Sequence, residues 1–303
     1  MLSILLTRLA ASLQFIGVGG CEAARHNSAE NPQGNWTVIR GSLIAMAAGL
    51  SAGSAYADTC RQLSASGLND ASLKSALQAV VPATGNPNGG LGFPMWLTLV
   101  DGSGIVCVVT NSLDGSSKNA DVTADIWLGS RVISAQKANT ANAFSLPALA
   151  LSTANLYTAT QPGGSLFGLQ HSNPVDTDVA YRGNSILYGL QNDPMTGGKI
   201  GGVNVFGGGL ALYDSKKTLL GAIGVSGDSS CADHNIAWRT RNNLKLDFVP
   251  GGVSGDATRP DNIVYDITPA TGEMEGVSAK GWGHPKCSDD ATKIAAGLPV
   301  ISK

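Results

Sequence analysis

From Arg131 to Ser145 the chain reads as a helix with one small, smooth side. Ile133, Ala141 and Phe144 lie broadly along that side, with Ala138 towards its edge, and alanines there let a helix approach a flat partner closely. The flat partner is predicted further on. Leu219 to Val225 is an apolar strand that runs through Ser226-Gly227-Asp228 into another helix. A smooth helix and a strand of this kind favour a sheet with helices laid on it.

Further strands fit the same sheet. Met95–Val100 and Ile105–Thr110 flank Asp101-Gly102-Ser103-Gly104, two β-rich runs around an Asp-Gly turn. Leu210–Tyr213 and Thr218–Val225 make a second hairpin across Asp214–Lys217. Ser185–Gly189 and Asn262–Tyr265 read as short additional strands. Helices are expected over 70–81, capped by Asn69 or Asp70 and stopped by Pro82, and over 230–244, where Ser230 and Asp233 resemble a capping box. A second short helix follows Pro147, over Ala148 to Tyr157. The order of helix, hairpin, helix, loop, hairpin, helix contains no run of β-α-β units. It predicts an α+β fold, an antiparallel sheet of about five strands flanked by helices. The glycine-rich stretch 250–303 reads as a tail that wraps the same domain.

The N-terminus points to export. Arg40 precedes the apolar run Ser42–Leu50, and Ala55-Tyr56-Ala57 follows as a small-x-small cleavage site, which makes Asp58 the first mature residue. The run is too short for a membrane span. Residues 1–37 read as a non-native extension, because a signal normally begins near the initiator. The expected division is therefore 1–57 extension and secretory signal, 58–249 domain, and 250–303 tail, with the mature protein periplasmic or secreted.

Charged residues make up only 14% of the chain and the net charge is −2, so no general attraction to nucleic acid is expected. Beyond the signal four cysteines remain: Cys60, Cys107, Cys231 and Cys287. An even number in an exported chain favours disulfides, in any of three connectivities. Cys231-x-x-His234 and His284-x-x-Cys287 are mirrored spacings, which leaves two readings of the second pair. One is a Cys231–Cys287 bridge; the other is a zinc site built from Cys231, His234, His284 and Cys287. Thr196-Gly197-Gly198-Lys199-Ile200 is not a phosphate loop, because Ile200 stands where a hydroxyl must reach magnesium.

Several motifs occur in one order: Asp101 to Gly104, Lys137-Ala138-Asn139-Thr140-Ala141, Gly207-Gly208-Gly209, and Gly221-Ala222-Ile223-Gly224-Val225-Ser226-Gly227. In that order they resemble the GlcG/HbpS-like family of haem-interacting and haem-degrading small-ligand proteins, over about residues 70 to 247. The resemblance implies an antiparallel sheet with flanking helices, a homo-oligomer, and haem or a related small anionic ligand. The chain departs from the pattern by its export signal, its 150–205 insertion and its cysteine-bearing tail.

The resemblance gives the helix after Gly227 a functional reading. Cys231, His234, Trp238 and Arg241 share one face. His234 would be an axial haem ligand, Trp238 would stack on the porphyrin, and Arg239 or Arg241 would meet a propionate. The competing reading makes the same stripe a tail or subunit contact. Gly224, Ser226 and Gly227 offer backbone N–H groups to an anion, or simply a tight turn. His284 would approach the site from the tail. The expected function is an exported binding protein for haem or a small anionic ligand. The alternatives are a haem-degrading enzyme that uses the same groove and a structural oligomer without a ligand.

Overall fold

The computed structural model describes residues 52–82, 84–114, 125–269 and 276–303, with side chains from residue 59 onward. The expected signal segment Arg40–Leu50 and residues 1–37 lie outside the described residues. The helix α1 (Ala52–Ala65) runs through the expected cleavage position at Ala57. The tail belongs to the same compact unit as the sheet, residues 47–303.

Both predicted hairpins form. β1 (Trp96–Asp101) pairs with β2 (Val106–Asn111), and β3 (Gly209–Tyr213) pairs with β4 (Leu219–Ser226). The hairpins join through β1 and β4, which gives an antiparallel four-stranded sheet in the order β2-β1-β4-β3. A separate two-stranded ribbon, β5 (Ile267–Pro269) with β6 (Gly276–Ser278), lies in the tail.

Alternation along the strands sorts the core into two layers. Trp96, Val100 and Ala222 face α3 (Leu128–Ala143), whose Val132, Ala135, Ala138 and Ala141 cover that side. Leu97, Leu99, Ile223 and Val225 face the opposite way. There they meet Leu73 and Leu77 of α2 (Asp70–Gln78), Ile236 and Trp238 of α7 (Ser230–Asn243), and Ala295 of α8 (Asp289–Ala296). With helices on both faces, β1 and β3 are buried along their whole length, which is why they read as continuous apolar runs.

Local chemistry moved some predicted boundaries. Asn69 caps α2 through a reciprocal pair of bonds with Ser72. Ser229, and not Ser230, caps α7, while the Asp233 carboxylate accepts the Asp228 N–H. Ser185–Leu187 is a 3-10 turn and not a strand, because the Asn184 side chain takes the Ile186 N–H. Asn262–Tyr265 is extended but makes only one bridge, Val264 with Gly283, and the ribbon begins at Ile267. The helix expected over Ala148–Tyr157 starts later, as a 3-10 turn at Thr153–Leu156 that leads into α4 (Tyr157–Thr160). The insertion also carries two short helices, α5 (Leu169–Ser172) and α6 (Thr177–Ala180). No helix among the described residues is long and apolar enough to cross a membrane.

Candidate functional site

The α7 stripe forms as a face, and the tail covers it. His234 is fully buried. Asn262 donates its Nδ2–H to Ala295 O and so presents Oδ1 to His234 Nε2 at 3.1 Å. The Ile263 N–H also points at Nε2, at 3.1 Å, and at Asn262 Oδ1, so Nε2 sits inside this cluster while Nδ1 has no hydrogen-bond partner. Burial pushes this imidazole down to about 3. Trp238 donates its ring N–H to Pro299 O. Arg241 forks onto Asp261 at 2.6 and 2.8 Å, and neither residue is exposed. The three residues therefore hold the tail against α7 and face no open groove.

The turn before α7 is also filled from within. Gly224 lies against α3, and a Cβ placed there would sit 1.9 Å from Ser134 O. Gly227 is wedged against Pro94 and Met95, and Ser226 is buried. The backbone donors beside the turn already have an anion. Asp228 accepts from Leu91 N and Gly92 N at 2.8 Å, and also from Ser229 N. An incoming carboxylate would have to displace that of Asp228.

Two disulfides form, Cys60–Cys107 and Cys231–Cys287. The second ties the tail to the first turn of α7 and consumes the two thiolates that the zinc reading needs. His234 and His284 are not gathered with those sulfurs into a compact ligand set. Among the described residues the group of this kind is Cys60, Asp101 and Cys107.

One predicted site residue, itself buried, adjoins residues that line open space. His284 Nδ1 lies 2.8 Å from Pro285 O and donates to it, which leaves Nε2 as an unpartnered buried lone pair. Burial pushes this imidazole down to about 4. Its ring packs 5.1 Å from that of Tyr157. Tyr157 and Pro285, which follows His284 in the chain, line a cleft of about 430 Å³. Tyr157, Thr158 and Pro162 form one wall, and Ile267, Val277 and Pro285 of the tail form the other. Thr158 Oγ1 donates to Gly283 O and joins the walls at their base.

The pairing of Lys137 with Asp233 escaped the sequence reading. The two side chains meet at 2.6 Å beneath the turn, both buried, and Lys137 Nζ also donates to Val225 O. A signal was available. Lys137 is three residues from Ser134 and four from Ala141, on the small face that packs against the sheet, where a cation needs a partner. Arg131 on the same helix is likewise buried against Asp193. The cleft residues Tyr157, Thr158 and Val277 carried no such signal, because distant segments converge there.

Residues 91–241 match a family model described as haem degrading protein HbpS-like. Two solved structures are similar in part. One is the crystal structure of a PduOC:haem complex, 24% identical over 57% of this chain and 88% of that chain, with a TM-score of 0.37. The other is Klebsiella pneumoniae protein ORFY, 22% identical over 57% and 87%, with a TM-score of 0.36. No curated protein matches the chain.

Proposed function

Since the chain belongs to the HbpS-like family through residues 91–241, we propose that it is an exported protein that binds haem, or a related small anionic ligand, in the cleft beside His284. One observation carries the reading. A buried imidazole with its Nδ1 committed and its Nε2 free packs on Tyr157 and precedes Pro285, two residues that line a cleft of small-ligand size. With its protonation pushed down to about 4, the His284 ring is neutral near pH 7, the state in which imidazole ligates a metal.

The residues present suit a flat amphiphile. Tyr157, Pro162, Ile267 and Val277 offer apolar faces, while Thr158, Gln161 and Ser278 offer hydrogen bonds. Lys280 and Lys286 are exposed on the tail segments that bear Ser278 and Pro285. Bound haem would supply an iron centre. This chain would orient it with the Tyr157 ring and hold it from His284. In this reading His234, Trp238 and Arg241 support the tail wall. Export is supported by the A-x-A site at Ala55–Ala57 and by two disulfides, which persist in oxidising compartments. Homo-oligomerisation is part of the reading, supported by Leu91, Trp127 and Leu128, all exposed.

Titration of the purified protein with hemin, followed by absorbance, tests the proposal. Saturable one-to-one binding is expected. Val277→Glu, at an exposed position on the wall, should weaken it, and His284→Ala should shift the Soret band. Binding that neither substitution alters would overturn the assignment. Adding a reductant and oxygen to the complex then separates binding from degradation.

A further inference from the structure

The two disulfides sit in opposite electrostatic surroundings. Cys231 occupies the first turn of the 14-residue helix α7, and both sulfurs of its bridge accept backbone N–H groups. Cys231 N–H points to Cys287 Sγ at 3.3 Å, Cys287 N–H points to Cys231 Sγ at 3.2 Å, and Ser230 Oγ lies 3.5 Å from Cys287 Sγ. These donors, and the positive end of the helix, stabilise thiolates more than they stabilise a neutral disulfide. The other bridge faces an anion. An Asp101 carboxylate oxygen lies within 4.8 Å of the sulfurs of Cys60 and Cys107, and that side chain is fixed as an acceptor by Thr59, Ser103 and Ile105. A carboxylate so placed opposes thiolate formation at either cysteine.

Access differs as well. Cys287 is exposed and Cys231 is buried. Cys287 also ends the tail segment that forms one wall of the cleft, two residues after Pro285. Upstream that segment is held by Asp261 and Asn262 on α7, and downstream by Ser288 on Gly89 O. Between those anchors its ties to the body include the Thr158–Gly283 bond and the Cys231–Cys287 bridge.

We propose that Cys231–Cys287 is a reducible latch on the cleft, opened by a dithiol reductant that attacks Cys287, while Cys60–Cys107 is a permanent staple. A thiolate of the reductant attacks Cys287 Sγ, the S–S bond breaks, and Cys231 leaves as a thiolate at the helix N-terminus. The second thiol of the reductant then attacks its own sulfur in the mixed disulfide and releases Cys287. The reductant ends as a disulfide and the protein gains two electrons and two protons, so the exchange balances. With the latch open, the wall bearing Val277 and Pro285 loosens and ligand is held less tightly. This last consequence rests on the cleft assignment made above.

Dithiothreitol titration of the oxidised protein, quenched with iodoacetamide and read by mass spectrometry at each cysteine, tests the order of opening. Cys231 and Cys287 should be labelled at about tenfold lower reductant than Cys60 and Cys107, and brief exposure to glutathione should place the adduct on Cys287. Simultaneous opening, or the reverse order, would overturn the proposal. Amide exchange over Val277–His284 should quicken in Cys231→Ser/Cys287→Ser and not in Cys60→Ser/Cys107→Ser; equal exchange removes the latch. If the first variant does not fold, wild type reduced only at that bridge serves instead. Hemin affinity should fall about tenfold with the bridge open. Failure of the oxidised protein to bind hemin sinks the haem reading alone, since the order of reduction and the exchange rates are read without ligand.

Discussion

Ser134 and Gly224 meet backbone to backbone: a Cβ on Gly224 would stand 1.9 Å from Ser134 O and 2.5 Å from Ala138 N. This contact is why α3 carries serine and alanine on its inner face and why β4 has glycine opposite them. Gly224→Ala cannot be relieved by a rotamer change, because both obstacles are main-chain atoms. It should cost about 3 kcal/mol in urea unfolding. Gly129→Ala is the control. It lies in the same helix with nothing within 4 Å of the added methyl, and should be neutral or stabilising by up to about 1 kcal/mol. Equal effects at the two sites would show that close packing of α3 is not what the glycine provides.

Stability should depend on pH through three buried groups. His284 and His234 are pushed from an ordinary 6.5 down to about 4 and about 3, both chiefly by burial. Their contribution is therefore intact above pH 6.5 and is lost as pH falls towards the folded values, at about 1.4 kcal/mol per unit for each. Asp233 acts in the opposite sense. Burial raises it to about 6 against the attraction of Lys137, so its contribution is present at low pH and is lost as pH rises through about 6. Between pH 6 and 5 two histidines lose stability while Asp233 alone returns it, which leaves a net loss of about 1 kcal/mol. Denaturant melts at the two pH values measure this difference. His284→Gln should flatten it to near zero, and an undiminished slope would rule out His284 as a source.

Much of the scaffold was legible because its signals are local. The β-rich runs over residues 95–110 and 210–225, with Asp-Gly and Asp-Ser turns between, need only neighbouring residues to be read. Ser185–Gly189 misled because a β-rich composition was overruled by one side chain, Asn184, which turned the chain. The site was less legible. The face shared by His234, Trp238 and Arg241 follows from helical spacing, but what covers it does not. Asp261, Asn262 and Pro299 arrive from the tail, and nothing on α7 announces them. Burial of Lys137 likewise depends on Asp233, 96 residues away. The cleft was not visible at all, since Tyr157 and Val277 come together only in three dimensions.

Asp228 behaves as a built-in anion. Its carboxylate takes the N–H groups of Leu91 and Gly92 and holds the preceding loop so closely that a Cβ on Gly90 would lie 2.1 Å from Oδ1. Asp228→Ala should free those donors to water, cost about 1–2 kcal/mol, and abolish exchange protection at Leu91 and Gly92. Formate should restore part of that loss in the variant and do nothing for wild type, because the vacated donors form an anion nest. No rescue by formate would mean that the loop is held by something other than the carboxylate.

Arg241 of α7 and Asp261 of the tail form a fully buried ion pair between body and tail. The guanidinium forks onto both carboxylate oxygens, donates to Ala211 O, and lies 4.6 Å over the Trp238 ring. Burying two charges is costly, and their mutual attraction largely offsets that cost. Removing one partner strands the other. Arg241→Met should therefore destabilise by about 3–5 kcal/mol, as an unpaired Asp261 is left in the interior. Arg241→Met/Asp261→Leu removes both charges at similar volume and should recover most of that loss. The cycle, measured by denaturant unfolding, then reports a large favourable coupling together with a small net contribution. If the double variant is as unstable as the two single losses added, the pair is uncoupled, and the tail is held by Trp238 and Asn262 without help from the ion pair.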